Sequence, residues 1–104
     1  MGPFVPLRFI QEPTDTVARK NGPVTLNCSV EGSSSPTEIT WEKDGRRINA
    51  DSRRRIGSNG ALLINKIIHN REYKPDVGEY QCFASTPVGK IASRKIHLDV
   101  AGKT

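Results

Sequence analysis

The sequence predicts an all-β sandwich of short strands, and three observations carry that prediction. Apolar and polar residues alternate one by one in several segments, while spacings of three and four never persist beyond two turns. Turn residues (Gly, Pro, Asn-Gly and Asp-Gly) punctuate the chain every ten or so positions. Two cysteines, Cys28 and Cys82, each fall on the apolar side of an alternating segment. At 104 residues the chain has the length of one domain.

"PVTLNCSV" is the clearest strand, with Val24, Leu26, Cys28 and Val30 on one side and Thr25, Asn27 and Ser29 on the other. Pro23 can only open it, because proline cannot donate to a ladder. Before it, Pro13 interrupts "RFIQEPTDTVA", which lets one short strand switch from one sheet to the other. "EGSSSPTE" reads as a loop and "ITWEK" as a strand with Ile39 and Trp41 on one face. Asp44-Gly45 then marks a tight hairpin, and Asn59-Gly60 a second turn before "ALLINKI", where Leu62 and Ile64 share a face and Ile67 closes the run. In "GEYQCFA", Tyr80, Cys82 and Ala84 share a face. In the last strand, Lys90 to Val100, Ile96, Leu98 and Val100 point inward. Ile91 lies five positions before Ile96 and cannot share its face on a regular strand, so a bulge or partner change is expected near Ser93 to Lys95.

Composition narrows the function. Hydrophobic residues make up 35% and aromatics 6%, a lean core that benefits from a covalent staple. Oxidised, Cys28 and Cys82 would close a loop worth about 4 kcal/mol of chain entropy. The alternative is two buried thiols in a cytosolic domain. No run approaches the ~20 apolar residues of a membrane span, and "MGPFVPLRF" lacks the build of a signal peptide. The chain therefore reads as a domain cut from something longer, with residues 1–6 an expression start or linker, 7–101 the domain, and 102–104 a linker onward.

The net charge of +5 favours anionic partners such as sulfated polysaccharide, acidic protein surfaces or nucleic acid. Nucleic acid is disfavoured, because the cations lack an interleaved aromatic platform or a groove-reading helix. Catalysis is disfavoured as well: His69 and His97 have no nucleophile in suitable context, and no glycine-rich phosphate loop is present. Two cysteines and two scattered histidines make no zinc site, so neither a metal nor a cofactor is expected.

Six residues together are more specific. Trp41 follows Cys28 by thirteen positions, and Asp76-x-Gly78-x-Tyr80 precedes Cys82. This constellation resembles the immunoglobulin-like β-sandwich. The resemblance implies an inter-sheet disulfide between Cys28 and Cys82, with Trp41 packed on it and Tyr80 pinning a corner by bonding backbone upstream. Asp76 near a strand end then wants a cation, and Arg53 or Arg55 is the expected salt-bridge partner. The room between Trp41 and Leu62 is too small for the extra strands of a variable-type domain. With "ASTPVG" after Cys82, this indicates the intermediate set.

One stretch departs from an ordinary intermediate-set domain. From Ile67 to Asp76 the interval is nine residues, against about four by family resemblance, and "HNREYK" is the surplus. "IIHNREYKPDVGEYQC" resembles the first immunoglobulin domain of the netrin-receptor family, the DCC and neogenin group. Further similarity lies in "EPTDTV", "LNCS", "KDG", "NGALLI" and "SRKIHLDVAG", about 90 residues in all. Roundabout receptors share much of the same corner loop, while "YQC", "NCS" and "VAG" favour the netrin-receptor side. Val77 stands where an acidic residue is usual, and Ala61 removes a sequon that Ser would complete.

The resemblance implies the ectodomain of a single-pass transmembrane receptor, at the extracellular face of the plasma membrane, in axon guidance or cell adhesion. Netrin contacts in that family lie mainly on fibronectin repeats. A domain like this one would instead shape the receptor, meet co-ligands of draxin type, or touch heparan sulfate. The rival from another class is an intracellular intermediate-set domain of a muscle scaffold, with reduced thiols. Asn27-Cys28-Ser29 is a sequon whose Asn points outward, a candidate for glycosylation. Arg46, Arg47, Arg53, Arg54 and Arg55 form a candidate glycan- or anion-binding edge; such an edge can equally protect a sheet against aggregation. His69, Asn70, Arg71, Glu72, Tyr73 and Lys74 form a candidate loop for packing against a neighbouring immunoglobulin domain.

Overall fold

A computed structural model describes residues 6–32 and 37–102. Residues 33–36 of "EGSSSPTE", and most of the expected flanks, 1–6 and 102–104, therefore lie outside the described residues. Among the described residues there are eleven strands and no helix: β1 (Arg8–Gln11), β2 (Thr16–Arg19), β3 (Val24–Leu26), β4 (Ser29–Glu31), β5 (Glu38–Lys43), β6 (Arg46–Arg47), β7 (Arg54–Ile56), β8 (Leu62–Ile64), β9 (Gly78–Thr86), β10 (Gly89–Ala92) and β11 (Ile96–Ala101).

One layer pairs β3 with β8 and β8 with β7, and is extended by the β1–β4 pair; the other runs β2-β11-β9-β5-β6, with β10 also on β9. This is the immunoglobulin-like sandwich of the intermediate set. Pro13 is buried between β1, which pairs antiparallel with β4 in the first layer, and β2, which runs parallel to β11 in the second. The single strand expected over "PVTLNCSV" is divided at Asn27–Cys28, because its first half pairs with β8 and its second with β1.

The layers meet over a core that includes Leu26, Leu62, Ile64, Ile67, Tyr80, Ile96 and Leu98. The Cys28–Cys82 disulfide joins the layers, with Cα atoms 6.5 Å apart. Trp41 is fully buried beside it, and its indole Nε1–H donates to the carbonyl of Gly60 at 2.8 Å. The polar end of the ring is thus satisfied where its apolar body fills the core, and a truncation at such a site costs about 3–5 kcal/mol. Gly60 has no substitute at this point: its φ is +100°, and a Cβ there would sit 2.7 Å from the Cys28 carbonyl oxygen. The β5–β6 hairpin turns at Asp44 and Gly45, both with positive φ, as a two-residue hairpin connection requires.

The last strand breaks at Ser93–Lys95. Ala92 pairs with Phe83 and Ile96 with Tyr80, so one extra residue is accommodated between them. Ser93 is buried there and replaces the missing ladder bonds. Its backbone N–H donates to the Cys82 carbonyl at 2.8 Å, and its hydroxyl accepts from the Cys82 N–H at 2.9 Å. The irregularity keeps Ile96, Leu98 and Val100 buried in the core.

Candidate functional site

Asp76 is fully buried and carries three kinds of bond. Arg53 Nη1 donates to Asp76 Oδ1 and Oδ2 at 2.9 and 2.7 Å, and also to the Lys66 carbonyl at 3.0 Å. The backbone N–H of Ile68 donates to Oδ2 at 2.8 Å. The Asp76 carbonyl accepts the Tyr80 hydroxyl at 2.7 Å. Burial, and then the nearby Asp76 carboxylate, push the Tyr80 hydroxyl above the usual phenolic range, so it stays protonated and donates. Arg55 is not part of this arrangement. Strand alternation gives Arg55 an exposed position one residue along from the half-buried Arg54, while Arg53, at the entry to β7, turns its guanidinium to the carboxylate.

From this anchor the corner loop projects. Its base is clamped by the β2–β3 turn: Ile67 N–H donates to the Gly22 carbonyl and Asn21 N–H to the Ile67 carbonyl. Its tip is a self-contained turn, in which Asn70 Oδ1 accepts the N–H groups of Glu72 and Tyr73 at 3.0 and 2.8 Å, and Asn70 N–H donates to the Tyr73 carbonyl. His69 is half-buried, with an unpartnered Nδ1. Arg71, Glu72, Tyr73 and Lys74 are exposed, Tyr73 by 58%. β11 ends at Ala101, paired with Arg19 immediately before the clamping turn. The loop and the outgoing end of β11 therefore lie at the same end of the sandwich.

The arginines divide between three surroundings. Arg46, Arg47 and Arg54 line a cleft of about 540 Å³ with Lys43, Asp44 and Asp51. Arg55 and Arg53 border a separate cleft of about 230 Å³ beside β8, and the Arg53 guanidinium is committed to Asp76. In the larger cleft Lys43 pairs with Asp44 at 2.8 Å, and Arg54 lies 3.6 Å from Asp51. Arg46 and Arg47 are exposed and make no ion pair among the described residues. The five-arginine edge is thus reduced to a cleft of three, because β7 alternation sends Arg54 and Arg55 to different sides. Pro75, at the end of the corner loop, forms part of the cleft wall.

Sequence reasoning did not find the second role of Asp44. Besides turning the hairpin, its Oδ1 accepts the Glu79 N–H at 2.9 Å, and a Cβ at Gly78 would lie 2.7 Å from its carboxylate. Gly78 thus lets the Asp44 carboxylate approach the β9 backbone closely. Asn27 is exposed, between β3 and β4, on the outer side of its layer. Among the described residues no cluster of His, Cys, Asp or Glu could hold a metal ion.

A family model of the immunoglobulin domain matches residues 8–86. The chain belongs to the immunoglobulin-domain family. This immunoglobulin domain is 45% identical over 103 residues to netrin receptor DCC of Mus musculus, a match covering 96% of the chain. It is 41% identical over 101 residues to roundabout homolog 2 of Homo sapiens, covering 92%. The chain spans 7% of the length of each receptor. Among solved structures, a crystal structure of a titin M10–obscurin-like 1 immunoglobulin complex superposes with a TM-score of 0.78. It covers 92% of this chain and 93% of that one at 24% identity, a likeness of fold alone.

The Glu79 N–H bond, and after it Lys43, hold the Asp44 carboxyl below its usual range. A carboxylate depressed in this way contributes stability above its unfolded pKa of about 3.9 and loses it as pH falls through the folded value. Asp44→Asn keeps the shape and tolerates positive φ. It should therefore lower the melting temperature at pH 7, with the gap from wild type closing progressively below pH 4. A gap independent of pH would contradict this assignment.

Proposed function

We propose that this chain is an extracellular recognition and architectural immunoglobulin domain of a guidance or cell-adhesion receptor of the netrin-receptor type. Two roles are assigned to it. The corner loop, His69 to Lys74, packs against a following domain of the same chain. The cleft of Arg46, Arg47 and Arg54 holds an anionic partner, heparan sulfate or an acidic protein co-ligand such as a draxin-type factor. The observation that carries the reading is 45% identity spread over 96% of the chain, which includes the surplus loop as well as the common framework. The loop's place beside the end of β11 supports the architectural role, because a following domain would attach at that end.

The inter-sheet disulfide favours an oxidising compartment over a muscle scaffold kept among reduced thiols. Solved titin immunoglobulin domains reach 31% identity, below the 45% of the netrin receptor. A roundabout-type receptor remains the second reading, because identity at 41% over nearly the same residues is close to that of the netrin receptor. We also propose a glycan on Asn27, whose side chain is outward and exposed.

An antibody against this domain should label intact cells expressing the full-length protein, and the domain secreted alone should lose mass on endoglycosidase treatment unless Asn27→Gln is present. Labelling only after permeabilisation would support the scaffold instead, and an unchanged mass would remove the glycan. On immobilised heparin, Arg46→Glu/Arg47→Glu should elute at clearly lower salt than wild type, and Arg55→Glu should shift elution less. Equal shifts would mean that net charge alone, and not the cleft, governs retention.

A further inference from the structure

The outward face of the second layer carries charge in columns. Pairing sets its rows: Lys90, Ser85 and Glu38 lie side by side, as do Ala92, Phe83 and Thr40. Gln81 faces Glu42, with Lys95 in the same surface hollow, and His97 faces Glu79. β10 and β11 thus bear the cations Lys90 and Lys95, together with His97 and, beyond it at the end of the face, Asp99; β5 bears the acids Glu38 and Glu42, the second with Arg47 of β6 beside it. β9 runs between them, with Phe83 near its middle. The two columns stand two strand spacings apart, about 10 Å, and none of the ion pairs among the described residues joins them. Lys90 Nζ lies over the Phe83 ring, 4.7 Å from its centroid. Lys90, Lys95 and Arg47 against Glu38, Glu42, Glu79 and Asp99 leave this face near neutrality while the chain carries +5. The basic excess therefore lies elsewhere.

From this pattern we infer that the face binds a second copy of the chain, about a twofold axis running along β9. Turning a copy about that axis exchanges the columns and preserves the rows. The partner's Glu38 then stands over Lys90, the partner's Glu42 over Lys95, and Phe83 meets the same residue of the other copy. An axis across the strands would instead set acid on acid, so the charge pattern selects one of the two aligned ways of stacking the sheets. Sheets stacked about 10 Å apart leave room for a glutamate and a lysine to meet end to end. Glu79 faces its own copy near one end of the axis, where Lys95 and His97 border it and solvent screens the repulsion.

Three strands by about seven residues present roughly 14 Å by 23 Å, on the order of 300 Å² per copy, well below the ~800 Å² of a stable interface. The contact is therefore weak and suited to chains held side by side, where effective concentration is high. Asn27 lies on the outer side of the other layer, so a glycan there would leave this face open. None of this depends on which receptor carries the domain.

Sedimentation equilibrium at physiological salt, with concentrations rising into the millimolar range, tests the inference. Wild type should self-associate. Lys90→Glu and Glu38→Lys should each weaken association by about tenfold or more, since each places like charges across the axis. An equimolar mixture of the two variants should associate as wild type does, because its mixed dimer restores both pairs; that recovery also shows both variants to be folded. Lys20→Glu, the same change in net charge away from the face, should leave association unaltered. A wild type that stays monomeric throughout, a mixture no stronger than its components, or a Lys20→Glu loss equal to that of Lys90→Glu would each overturn the inference.

Discussion

The Asp76 carboxylate, sealed from solvent and bonded on several sides, is the constraint from which the rest of this end of the domain follows. A buried charge is tolerable only when its oxygens are matched. The matching groups come from two different places: Arg53 at the entry to β7, and the backbone of Ile68 at the start of the corner loop. The carbonyl of the same residue takes the Tyr80 hydroxyl from β9 in the opposite layer. One residue thus couples both layers and sets the angle at which the chain leaves β8 and enters β9. Farther along β9, the Cys28–Cys82 disulfide makes the second tie between layers.

Because the corner is held by its base, the surplus at its tip is free to vary. Ile67 is clamped to the β2–β3 turn, and Asn70 closes the tip on itself through side-chain and backbone bonds. Arg71, Glu72, Tyr73 and Lys74 are exposed at the tip, outside the core, and so open to a neighbour. The same economy operates in the basic cleft. Arg53 is consumed by the corner, Arg54 is partly balanced by Asp51, and Arg46 and Arg47 remain open to solvent. Charge count alone overstates such a surface; what matters is which cations are already partnered.

Most of the framework was legible in the sequence because it rests on local chemistry. Period-two alternation placed the strands, Asp44-Gly45 and Asn59-Gly60 placed two turns, and the mismatch between Ile91 and Ile96 placed the irregularity at Ser93. What escaped required knowing which strands lie side by side. Arg53 and Arg55 share strand parity, so only the position of the carboxylate decided between them. The halving of "PVTLNCSV" depended on a change of partner strand, and the columns of charge around Phe83 emerged only from the register of β5, β9 and β10. The turn made by Asn70 and the bond from Asp44 to Glu79 have weak local signals, since Asn and Asp in polar loops adopt many such arrangements.

The most direct test of the central role given to Asp76 is a comparison of unfolding free energies by chemical denaturation for Arg53→Met and Arg55→Met. Removing one member of a buried pair strands the other, and the expected loss for Arg53→Met is about 3–5 kcal/mol. Arg55→Met, at an exposed position two residues farther along in β7, should change stability by about 0.5 kcal/mol or less. Losses of similar size for the two variants would contradict the account, as would an Arg53→Met protein as stable as wild type.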